Sequence, residues 1–198
     1  MVTWHTEMKI LVCVVFAFCF SACTPAKPGG DSLKSEKEAE IVEKTNEILD
    51  RINTRSFFLD TYIASGHNTV TQVLLEKEDV SFLLENSGIS IPLMIERIEK
   101  EAAMEYRQSL IVYFLVFQEA KYAEAIPYLI DYLKRIPENE REAVMFPWHP
   151  FLYAVKAAMR ITDKDIAIDN IKPLFDRRVE IANDAENWYN THKKAEGK

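Results

Sequence analysis

Seven residues carry the side chains that most readily hold a metal or attack a substrate: His5, His67, His149, His192, Cys13, Cys19 and Cys23. The histidines are isolated, with no H-x-x-x-H and none of the Cys/His spacings that close a zinc site. No G-x-S-x-G elbow, P-loop or G-x-G-x-x-G turn occurs. Carboxylates are plentiful but alternate with cations, as at Glu96, Arg97, Glu99 and Lys100, the pattern of a solvated helix face. The residues therefore predict no catalytic constellation, no metal and no cofactor. Two features remain with chemistry in them, a thiol at Cys23 and an aromatic segment near residue 148.

The aromatic segment is "MFPWHPF", residues 145 to 151. Pro147 and Pro150 stiffen it, and Phe146, Trp148, His149 and Phe151 together offer a rigid surface to a protein partner, a small ligand or a glycan. The competing expectation, and the preferred one, is that these aromatics fold back and plug the space between helices.

Cys23 follows an oily leader. Lys9 precedes eleven uninterrupted apolar residues, Ile10 to Phe20. As a helix these rise only about 16 Å against a hydrocarbon core of about 30 Å, too short to span and right for the h-region of a secretory signal. Glu7 is out of place in a positive n-region, so Met8 makes a more normal start than Met1. Conventional cleavage after Ala22 would put bulky Phe20 at −3. His5, Cys13 and Cys19 leave with the leader, so a conventionally processed Cys23 would be a free thiol or pair between molecules.

Phe20-Ser21-Ala22-Cys23 resembles the lipobox of bacterial lipoproteins, with Phe20 where Leu is usual. The resemblance implies cleavage before Cys23, diacylglycerol on its sulfur, and anchoring in the cell envelope by two or more acyl chains, which hold where one does not. In lipoproteins of enteric-type bacteria an Asp after the cysteine favours the inner membrane; Thr24 therefore points to the outer membrane and its periplasmic side.

Three stretches are thus expected: a signal peptide at 1–22, a lipidated tether at 23–34 and a folded domain at 35–198. Residues 24–38, "TPAKPGGDSLKSEKE", hold two Pro and two Gly and no aromatic, and read as a flexible stalk up to the first helix. Ser35 with Glu38 forms a capping box, and Ile41, Thr45, Ile48, Leu49 and Ile52 one helical face. With 48% hydrophobic residues and only 5 Gly in 198, the composition favours an all-α domain. The net charge is −7, and no cationic stripe suits nucleic acid.

Short helical patterns at 57–63, 70–76 and 80–85 lead to a repeat. "IPLMIERIEK" (91–100) is echoed 35 residues later by "IPYLIDYLKR" (126–135), each amphipathic with proline expected in its first turn. Each is followed by a second apolar segment, "SLIVYFLVF" (109–117) and "PFLYAVKAAMRI" (150–161), the second unit carrying about seven extra residues. Leu110 to Phe117 fits a buried strand as well as a helix, but its flanks favour helix. A final helix is expected from Asp163 or Asp169 to about Asn190.

"AIPYLIDYLKR" with "FLYAVKAAMRITD" resembles the HEAT-like repeats of α-solenoids, over roughly residues 89 to 175. A tetratricopeptide pattern competes through Ala125 and Pro137, but places Tyr113 and Tyr132 where close helix packing needs small residues. The HEAT-like resemblance implies a short α-solenoid of paired antiparallel helices with a surface for another macromolecule. The expected function is thus a noncatalytic scaffold or protein-interaction module, held to the membrane by lipid. A small-ligand or glycan binder using residues 145–151 is the alternative, and an enzyme comes third.

Overall fold

The computed structural model describes residues 31–54, 56–58, 60–61, 70–100, 108–146, 149–164 and 171–196. Cys23, the leader, the first part of the stalk, His67 and Trp148 lie outside them. Regular structure among the described residues is entirely helical, as the composition predicts. The chain divides into two units, residues 1–39 and 40–198.

In the first unit the described residues, 31–39, are helical, and 35–39 are exposed. They open helix α1, Asp31–Ile52. It starts four residues before the Ser35–Glu38 box, so residues 31–38 of the expected stalk are helix. Beyond Gly30 the stalk sequence has no further Pro or Gly, and an acidic residue type at position 31 suits the start of a helix.

In the second unit the end of α1 buries Thr45, Ile48, Leu49 and Ile52, the face expected from the period, with Ile41 half-buried. Then come α2 (Val70–Leu75), α3 (Glu78–Glu85) and α4 (Ser87–Lys100), with Asn86 as the joint between the last two. Arg97 of α4 reaches back to α1, bonding Asp50 at 2.7 Å and the Asn46 carbonyl at 3.3 Å. Because α4 starts at Ser87, Pro92 lies inside the helix and not in its first turn. Its missing N–H leaves the Gly88 carbonyl without the usual i−4 partner. Both residues are exposed, so solvent can hydrate that carbonyl.

Helix α5 (Ser109–Ala120) carries the ambiguous apolar run, which is α-helical, and every residue from Ile111 to Phe117 is buried. A helix buried on all sides shows no amphipathic period, the reason periodicity alone leaves it ambiguous. It packs on α3, α4 and the later helix α7. Tyr113 is buried, and Tyr132 packs edge-on against Phe114 with ring centres 5.0 Å apart, so the two tetratricopeptide "small" positions hold packed aromatic rings.

Helices α6 (Ile126–Arg135) and α7 (Pro150–Ile161) form the second pair. Pro127 sits in the first turn of α6, as expected. Ala154, Ala157 and Ala158 are buried on α7, where small side chains let a neighbouring helix approach closely. α5 and α7 end alike. Lys121 follows α5 with φ 49°, and Asp163 follows α7 with φ 52°. Around each, paired backbone bonds make a Schellman closure: Tyr122 to Phe117 (3.2 Å) with Lys121 to Gln118 (3.3 Å), and Lys164 to Met159 (2.9 Å) with Asp163 to Arg160 (3.4 Å). The two left-handed residues are joined, Lys121 Nζ lying 2.7 Å from Asp163 Oδ1. With their C-terminal ends together and their lengths in contact, α5 and α7 run in the same direction.

The expected last helix is two: α8 (Ile171–Asp176) and α9 (Arg178–Glu196), broken at Arg177 and reaching six residues past Asn190. α9 lies antiparallel to α6, since Glu124, just before α6, pairs with Lys193 and Lys134 near its end pairs with Glu186, each at 2.7 Å.

Candidate functional site

The three described residues of the aromatic segment, Phe146, His149 and Phe151, do not share one surface. Phe146 is 52% exposed. His149 is 1% exposed and Phe151 0%, so neither faces a partner. Phe151 meets Phe175 of α8 edge-on with ring centres 5.6 Å apart. The packing expectation therefore describes His149 and Phe151, and Trp148 lies outside the described residues.

His149 has a defined structural task. It is the N-cap of α7, its Nδ1 accepting the Phe151 N–H at 3.1 Å. Because Nδ1 accepts, the ring proton sits on Nε2 and is donated to Glu140 Oε2, 2.9 Å away. Pro150 at the first helical position needs no partner for a missing N–H.

Around this histidine Glu138, Arg141 and Glu142 each find a partner on α8 or at the start of α9. Arg141 forks onto Asp176 (2.8 and 2.7 Å), Lys172 reaches Glu142 at 2.8 Å, and Arg178 reaches Glu138 at 3.0 Å. The Arg141 bonds hold the Asp176 carboxyl below its ordinary range, and the Lys172 bond does the same for Glu142. Arg178 also lies over the Phe175 ring at 4.2 Å. Glu138, Arg141, Glu142 and Phe151 thus fasten this part of the chain to α8 and the first turn of α9. The alternating charges of "PENERE" (137–142) are the sequence signal for this, and they read as a solvated face because their partners are 30 to 40 residues away.

A second cluster, which the sequence did not single out, joins α4, α6 and α9. Tyr128 donates its hydroxyl hydrogen to Glu99, and this bond, ahead of burial and the nearby charge, pushes the phenol up to about 12. A phenol so held is a poor proton donor in catalysis at neutral pH. His192 stacks on Trp188 with ring centres 4.7 Å apart, and Lys193 keeps the Glu124 carboxyl below its ordinary range.

Among the described residues no group of three or more His, Cys, Asp or Glu is placed to hold a metal ion. Among the described residues, too, no helix is long and apolar enough to cross a membrane. No protein-family model matches the chain, and no curated protein or solved structure matches it either.

Proposed function

We propose that this chain is a cell-envelope lipoprotein, anchored through acyl chains on Cys23, whose helical domain serves as a noncatalytic protein-interaction or scaffold module. The anchoring half rests on the leader: Lys9, the apolar run Ile10 to Phe20, and Phe20-Ser21-Ala22 ahead of Cys23. Thr24 favours the outer membrane.

The interaction half rests on one observation above the others. α5 and α7, second helices of the two sequence repeats, run side by side and finish in the same Schellman closure, their left-handed residues bonded as Lys121 to Asp163. Equivalent helices of successive units placed side by side are what a HEAT-like stack requires. After these two units the pattern changes: α9 turns back along α6 and does not extend the row. We read the domain as a two-unit helical-repeat stack closed by its last helix. The step from stack to partner surface is an analogy between folds. The ligand or glycan alternative has less support, because His149 and Phe151 are taken into the core.

Crosslinking in intact cells followed by mass spectrometry tests this reading. Crosslinks from α4, α6 or α9 to a recurrent envelope protein are expected; crosslinks confined to cytosolic proteins would overturn it.

A further inference from the structure

α9 is held differently from the helices beneath it. Of its 19 residues, Ile181, Ala182 and Ala185 are buried, whereas α5 buries eight of 12 and α7 nine of 12. Trp188 and Tyr189 add half-buried contacts. Ion pairs to residues distant in sequence add to these: Glu186 to Lys134, Lys193 to Glu124 and Asp184 to Lys164, all at 2.7 Å and all between groups more than a third exposed. Exposed pairs are individually weak and are screened as salt rises. The short helix before it is fixed in another way. Leu174 and Phe175 of α8 are buried, Phe175 packs on Phe151, and Arg178 covers the Phe175 ring while bonding the Phe175 carbonyl at 3.1 Å. The helical run breaks between the two, at Arg177.

We propose that α9 is a salt-releasable strap. It swings away about Arg177 and Arg178 while α5, α6 and α7 stay folded, and in doing so uncovers the side of α6 against which it lies. An element with little buried apolar area and exposed ionic ties opens at lower free energy than the core it covers. This deepens the interaction reading and rests on it: the uncovered side of α6 is a surface of the repeat stack, so the strap regulates access to it. Isolated from α6, the polar α9 would fray, because a single helix of this length is marginal in water.

The test is backbone hydrogen exchange of the full chain, followed by mass spectrometry, at about 0.05 M and about 0.5 M NaCl. Exchange in α9 is expected to rise by about fivefold with salt while α5 and α7 are unchanged. A Lys134→Ala/Lys193→Ala double variant, altered only at exposed positions, is expected to reproduce the rise at low salt with little change in α5. The proposal is overturned if α9 is as protected as α5, or if its exchange ignores both salt and the double variant. No partner is needed for this measurement, so a negative result removes the strap and leaves the interaction reading to its crosslinking test.

Discussion

Lys121 occupies a backbone region its side chain disfavours. At φ 49° the Cβ crowds the following carbonyl, which costs an L-residue other than Gly, Asn or Asp about 1–2 kcal/mol. Asp163, in the same position after α7, is a type that tolerates this conformation better. The closure persists at Lys121 because it satisfies the carbonyls of Phe117 and Gln118 at the end of α5 and because the side chain bonds Asp163 at 2.7 Å. Since both groups of that pair are more than half exposed, the ion pair adds little. Lys121→Gly is therefore expected to stabilise the domain by about 1 kcal/mol, read as a higher urea midpoint with unchanged slope. A loss of stability would show that the Lys121–Asp163 bond outweighs the strain. None of this was legible in the sequence, because lysine has no preference for the left-handed region. His149 was visible as an unusual residue beside two prolines, yet its direction was not, because the choice between surface and cap depends on Glu140.

At the scale of elements, periodicity identified the faces that meet one core and solvent. Ile48, Leu49 and Ile52 on α1 and Ile126, Leu129, Ile130 and Leu133 on α6 are buried as their spacing predicts. Helix starts were less legible. α1 begins four residues before Ser35 and α4 five before Pro92, the latter although Ser87 and Gly88 are not strong helix formers. Pro92 is left in the body of α4 as a result. Pro92→Ala restores a donor to the Gly88 carbonyl and is expected to stabilise by about 1–3 kcal/mol, the lower figure if lost unfolded-state rigidity offsets part of the gain. Thermal unfolding checks this; a fall in Tm would mean that the freedom Pro92 removes from the unfolded chain outweighs the missing bond. The break at Arg177 had no breaker residue to announce it, and the antiparallel course of α9 along α6 is a tertiary fact carried by side chains 52 and 69 residues apart.

Across the whole molecule, charge is arranged as long-range ties on an acidic chain of net −7. Glu124, Glu142, Asp163, Asp176 and Glu180 all have carboxyls held below their ordinary values, in each case chiefly by a hydrogen bond from a lysine or arginine. A folded-state value below the unfolded one contributes stability that is present above the ordinary carboxylate values, 4.5 for Glu and 3.8 for Asp, and is lost as pH falls through the lowered ones. Between pH 7 and the isoelectric point near 5.2, falling net charge relieves repulsion and opposes any early loss. The urea midpoint is accordingly expected to be level or slightly rising down to about pH 5 and to drop below about pH 4. A midpoint that keeps rising into acid would contradict the assignment of these pairs.

A helical module tethered by lipid outside the cytosol declares itself in the mass of the N-terminal peptide purified from membranes. A chain that begins at Cys23 and carries acyl groups on it is expected, with a Cys23→Ser variant left unprocessed and unacylated. A parent chain recovered from the cytosol with its leader intact and an unmodified Cys23 would contradict it.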